Sequence, residues 1–95
     1  MDEQQVIDLM MARDYFLYAR QVEGVDTRLI FTHADHPMLM AHVKWTQSGH
    51  VDVRLRALVG VVLVQTLWFS IDHPKFRELY EVKMERALRA MGSWA

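Results

Sequence analysis

The stretch Leu39-Met40-Ala41-His42-Val43-Lys44-Trp45-Thr46 alternates, and so does Val51-Asp52-Val53-Arg54-Leu55-Arg56. A period of two puts Leu39, Ala41, Val43 and Trp45 on one face of a strand and Val51, Val53 and Leu55 on one face of the next. Residues paired across antiparallel strands share a side, so a common core requires Trp45 opposite Val51, Val43 opposite Val53 and Ala41 opposite Leu55. A two-residue loop at Ser48-Gly49 sets Trp45 opposite Asp52 and mixes the faces. A three-residue loop, Gln47-Ser48-Gly49 with Gly49 left-handed, gives the required register. It also sets Lys44 opposite Asp52, His42 opposite Arg54 and Met40 opposite Arg56 on the outer face.

Working outward from this hairpin, residues 27–33 read as a short strand, rich in apolar and β-branched side chains. Ala34-Asp35-His36-Pro37 then supplies a turn, because proline fixes its own φ and biases His36 away from helix. Residues 3–21 read as an amphipathic helix on the spacing of Val6, Leu9, Met10, Phe16 and Leu17, with Asp2 and Glu3 at its positive end, Arg20 at its negative end and Gly24 beyond it. The run 57–69 is apolar except for Gln65 and Thr66. Its valines favour a strand, but Gly60 stands alone and one strand over 51–71 exceeds the usual length. A buried helix at 58–70 is therefore expected ahead of a fourth strand. The last helix is clearer: Asp72 as cap, Pro74 in the first turn and Gly92 as stop. Its inner stripe is Phe76, Tyr80, Met84, Ala87, Leu88 and Met91, and its wet side pairs Arg77 with Glu81 and Glu85 with Arg89.

The expected architecture is a single α+β domain over 1–95: an antiparallel sheet of three strands, or four, with helices packed on one face, in the order α-β-β-β-α-α. That order resembles the one found in small dimeric secretion chaperones, which bind an extended client; the resemblance is of element order and carries over no site.

Ninety-five residues with 52% apolar content can build a core, and a net charge of −1 gives no global pull toward nucleic acid or an anionic membrane. There is no cysteine, which excludes disulfides and thiolate chemistry within the chain. The 57–69 run is too short to span a bilayer, and Met1-Asp2-Glu3-Gln4-Gln5 is unlike a secretory signal, so a cytoplasmic protein is the expectation.

His33, Asp35 and His36 form a compact set of metal-ligand types, but their spacing is not that of a built site, and an Asp35 turn is the ordinary reading. Asp35 with His36, and His42 near Asp52, are acid–base neighbours without an evident pocket. No serine sits in a nucleophile elbow and the four glycines are scattered singly, so no catalytic residue and no cofactor is assigned. On the outer sheet face Lys44, Arg54 and Arg56, joined by Arg28, make a local basic patch, with no aromatic residue expected among them. Met38 and Met40 fall on that same face, and Trp94 follows the helix-stopping glycine; methionines adapt to irregular partners. A small domain with more apolar surface than it can bury tends to associate, most often as a two-fold homodimer.

The expected function is that of a protein-interaction module (an inhibitor, adaptor or chaperone), acting as a homodimer and meeting a partner protein through Met38, Met40, His42, Arg54 and Arg56. A nucleic-acid-binding regulator using the same arginines is the second expectation. A metal-dependent enzyme at His33, Asp35 and His36 is the third.

Overall fold

The computed structural model describes residues 1–46 and 49–92. Two helices and six strands follow one another as α1 (Glu3–Met11), β1 (Tyr15–Glu23), β2 (Asp26–His33), β3 (Leu39–Trp45), β4 (Val51–Val59), β5 (Val62–Gln65), β6 (Phe69–Ser70) and α2 (Phe76–Gly92). The fold is α+β, with one antiparallel sheet in the order β1-β2-β3-β4-β5 and β6 also on β4. The central hairpin has the register its alternation requires: Trp45 faces Val51, Val43 faces Val53 and Ala41 faces Leu55. Thr46 N–H donates to His50 O at 2.8 Å across a three-residue connection, and Gly49 sits at φ +85°. The other two loop residues, Gln47 and Ser48, lie outside the described residues.

Two expectations are corrected. The first helix ends at Met11, not near residue 21. Asp2 caps it, accepting from Gln5 N–H at 2.8 Å while the Gln5 side chain accepts from Asp2 N–H at 2.9 Å. Asp14 then turns left-handed, at φ 67°, and its carbonyl accepts from Ala34 N–H. Tyr15-Phe16-Leu17-Tyr18 follow as four contiguous bulky residues, which suit a pleated strand better than a helical stripe. Arg20 consequently lies on β1, where it pairs with Glu3 of α1 at 2.9 Å.

The second correction concerns 58–70, which is not a helix. β4 runs on to Val59, Gly60-Val61 turn the chain, and β5 returns antiparallel. Gly60 has φ +61°, and Gly24 has the same angle in the equivalent Gly24-Val25 turn between β1 and β2. Glycine at the first position of a two-residue loop, followed by a residue of negative φ, is the II′ arrangement that matches strand twist. Among the described residues the sheet thus has more strands than the three or four expected, and two helices stand where three were expected.

β5 and β6 are one strand interrupted by a bulge. Arg56 faces Gln65 and Val53 faces Phe69, so Arg54 and Leu55 stand opposite three residues, Thr66, Leu67 and Trp68. Thr66 stays bound to Leu55, its N–H donating to Leu55 O at 3.0 Å and its Oγ1 accepting from Leu55 N–H at 3.1 Å. The extra residue restores Phe69 to the inner face and swings Trp68 over the outer one.

Both helices pack on the inner face. Val6 and Met10 of α1, and Phe76, Tyr80 and Ala87 of α2, join Tyr15, Leu29, Phe31, Leu39, Ala41, Val43, Val51, Val53 and Leu55 in one core. Tyr15 is fully buried; its hydroxyl meets Met84 Sδ at 3.5 Å, and its ring stands edge-on to His33 and Tyr80. Asp72 does not cap α2: its carboxylate accepts from the Ser70 hydroxyl, while His73 Nδ1 accepts from Lys75 N–H at 2.9 Å. The wet-side pairs Arg77–Glu81 and Glu85–Arg89 are present. Trp94 lies outside the described residues. Among the described residues no helix is long and apolar enough to cross a membrane.

Candidate functional site

The outer face is best described in rows across the strands. One row runs Gln21, Arg28, Lys44, Asp52, Ser70; the next runs Ala19, Ile30, His42, Arg54; the third runs Phe16, Thr32, Met40, Arg56, Gln65. Arg28 thus lies directly opposite Lys44, a like-charge cross-strand pair that is unfavourable on its own. His42 lies directly opposite Arg54, with Arg28 and Thr32 on its β2 diagonals and Asp52 and Arg56 on its β4 diagonals.

Trp68 reaches into this cluster from the bulge. Its ring centroid is 4.1 Å from Lys44 Nζ, 4.7 Å from Arg54 Cζ and 5.8 Å from Arg28 Cζ. The expectation that no aromatic residue interleaves the basic patch is therefore wrong. The indole partly offsets the repulsion among the cations, each stacked charge contributing ~0.5–2 kcal/mol. No periodicity could place Trp68 there, because the bulge resets the alternation one residue before β6.

The cations lack anions. Among the described residues none of Arg28, Lys44, Arg54 and Arg56 forms an ion pair with a carboxylate. Asp52, opposite Lys44 in register, does not close on it. Arg54 Nε and Arg56 Nε are shielded from solvent and have no hydrogen-bond acceptor. Burial, helped by the charges of Arg56, Arg28 and Arg54, pushes the His42 imidazole down to about 4, so it is neutral at pH 7. Beside the Arg28–Lys44 row opens a cleft of about 330 Å³, whose wall includes Glu23, Asp26 and Trp45. Glu23 and Asp26 thus stand at that end of the face, beside the row that carries Arg28 and Lys44.

Of the residues singled out for partner binding, Met40, His42, Arg54 and Arg56 stand together, half-buried, on this face. Met38 does not join them in the sheet; it stands in the turn before β3 and is 54% exposed. Asp52 lies diagonal to His42 across the β3–β4 pair, and among the described residues no hydrogen bond or ion pair joins the two.

The His33, Asp35 and His36 set is arranged otherwise. His33 is buried on the inner face against Tyr15, and its Nδ1 accepts from Asp35 N–H at 3.1 Å. Burial, then the neighbouring His36, lowers its pKa, and the two rings lie 5.2 Å apart. Among the described residues no group of three or more His, Asp or Glu side chains is placed to hold a metal ion. His50 instead faces Asp72, at 3.8 Å.

No protein family, curated protein or solved structure matches the chain.

Proposed function

We propose that the protein is a small interaction module whose outer sheet face receives an acidic segment of a partner protein. The observation that carries this reading is the group of four cations, Arg28, Lys44, Arg54 and Arg56, gathered on one rigid face without a carboxylate partner. A fold gains nothing from placing Arg28 opposite Lys44 and leaving two arginine Nε groups without acceptors. An incoming anionic chain brings negative charge among the four cations and relieves the repulsion. Met40 and the rim of Trp68 add adaptable apolar contact beside the charges.

The nucleic-acid reading uses the same cations but needs bases to stack. Trp68 is the aromatic residue at the centre of the patch, and its ring already carries Lys44 and Arg54. The protein reading is therefore preferred. It is tested with two labelled probes of equal charge, a glutamate-rich peptide and a single-stranded oligonucleotide, titrated into the full chain by fluorescence anisotropy. Tighter binding of the peptide supports the reading; tighter binding of the oligonucleotide, or binding of neither, rejects it.

Self-association belongs to the same reading. β1 is a nine-residue edge strand, paired on one side by β2 and bearing Phe16, Leu17, Tyr18 and Val22 at 42–70% exposure. Two copies meeting edge to edge along a two-fold axis satisfy both free backbones and cover these side chains. Sedimentation equilibrium at low and high salt checks it: a dimer in both is expected, and a monomer throughout rejects it.

A further inference from the structure

We infer that the centre of the outer face, where His42 is surrounded by Arg28, Arg54 and Arg56, binds a phosphoryl group, carried by a phosphorylated side chain of the partner segment. The inference rests on the acidic-segment reading above and narrows it from negative charge in general to one chemical group.

Geometry carries it first. Arg54 and Arg56 are two residues apart on β4, so their side chains leave the same face side by side. His42 sits opposite the first and diagonal to the second, and Arg28 approaches from β2 on the far side. Three guanidinium groups drawn from two strands thus ring one imidazole, with Lys44 on the His42 strand next to them. All are fixed on strands rather than loops, which favours recognition of a compact anion over that of a diffuse charged surface.

Charge decides the class of anion. Four cations stand against one carboxylate on these rows, Asp52, which leaves an excess that a single carboxylate ligand cannot neutralise. A phosphoryl group carries ~1.5–2 negative charges at pH 7 and three strong acceptor oxygens. Planar guanidinium forks match those oxygens in pairs. The Nε groups of Arg54 and Arg56 are closed to solvent, so it is the Nη ends of these guanidiniums that an incoming phosphoryl group would meet. His42, kept neutral first by burial and then by Arg56, Arg28 and Arg54, retains one N–H donor. The charged groups facing it are Arg28 from β2, Arg54, Arg56 and Asp52 from β4, and Lys44 along its own strand, four cations to one carboxylate. The engagement of the Trp68 ring by cations argues for a peptide rather than a nucleic acid as the carrier.

The experiment compares two ten-residue Gly/Ser/Ala peptides, one with a central phosphoserine and one with glutamate there, by isothermal titration calorimetry against the full chain at pH 7.5. The phosphopeptide is expected to bind at least tenfold more tightly. Its ³¹P titration should place the second phosphate pKa, ordinarily about 6, a unit or more lower when bound. Arg56→Gln should abolish that displacement while the far-UV spectrum and thermal melt stay those of the parent. Equal affinities for the two peptides overturn the phosphoryl inference and leave the acidic-segment reading standing. Binding of neither overturns the phosphoryl inference, and the glutamate-rich peptide titration above then decides the acidic-segment reading separately. A phosphorylated oligonucleotide that outcompetes the phosphopeptide overturns the assignment of the carrier to a protein.

Discussion

On β3 and β4, Leu39, Ala41, Val43, Val51 and Val53 are shut away from water, while His42, Lys44, Arg54 and Arg56 alternate with them along the same backbone and remain half-buried. The inner set is mutually supportive: each side chain is covered by others, and both helices close over them. The outer set is mutually repulsive, with like charges opposite one another and buried donors lacking acceptors. Two faces of one sheet, built from interleaved residues, therefore do different work. One holds the fold, and the other keeps an electrostatic imbalance that the fold is stable enough to carry. The proposed binding role would draw on this imbalance, since the strands hold the cations in place before any anion is bound.

The comparison breaks most sharply on the inner face. Tyr15→Ala removes a fully buried ring that touches both helix α2 and His33. A loss of about 3–5 kcal/mol is expected, typical of an emptied aromatic site. For a domain of this size that is a large part of the total stability. Urea denaturation measures it directly, and a loss below 1 kcal/mol would contradict the placement of Tyr15 at the centre of the core.

The outer face should respond in the opposite sense. Arg54→Glu with Arg56→Glu is expected to cost binding of an acidic peptide more than a hundredfold, since losing two charge-assisted hydrogen bonds at ~1.5–3 kcal/mol each removes ~3–6 kcal/mol. The melting temperature should stay within a few degrees of the parent, because the replacements also relieve cation repulsion. Affinity and stability are read on the same samples by anisotropy and circular dichroism. A collapse of stability with unchanged affinity would reverse the roles assigned to the two faces.

How much of this contrast could be read in advance varies along the chain. The hairpin was legible because both strands alternate, and only one register keeps Trp45, Val43 and Ala41 on the side of Val51, Val53 and Leu55. That reading also placed His42, Arg54 and Arg56 together. The 57–71 region was not legible, since a run of valines alone does not separate strand from helix. Its usable signal was Gly60-Val61, a two-residue loop with glycine first, repeated at Gly24-Val25. Reading both as turns would have ended the first helix early and supplied β1 and β5. Trp68 was beyond reach of any periodic pattern, because a bulge breaks the period where it matters. The absence of ion pairs on the outer face is likewise a property of side-chain packing, which the alternation of residue types does not carry.

Acid should separate the faces through their histidines. His42 in the folded chain titrates at about 4, below the ordinary 6.5 of an unfolded histidine, because of burial and the three arginines. Between these values the unfolded chain binds more protons, so this contribution to stability is complete above about pH 6.5. It declines as pH falls through 6.5 and is fully lost below about 4. His33, lowered chiefly by burial on the inner face, acts in the same direction. Melting temperatures between pH 7 and 4 should therefore fall, and His42→Gln should flatten part of that slope while leaving the His33 part. An unchanged slope in His42→Gln would show that the arginines do not press on the imidazole.

The smallest effect expected lies at Gly60, and it tests the turn that makes the outer face. A β-carbon at Gly60 meets no atom within 4 Å, so the cost of Gly60→Ala is backbone strain alone at φ +61°. About 1 kcal/mol is expected for an L-residue held there. Gly60→Asn should cost less, since asparagine tolerates this region. If alanine and asparagine cost the same, the left-handed turn is not what limits this site. If both are harmless, β4 does not turn back at residue 60. The path that carries Trp68 over Lys44 and Arg54 would then have to be redrawn, because β5, the bulge and the indole all follow from that turn.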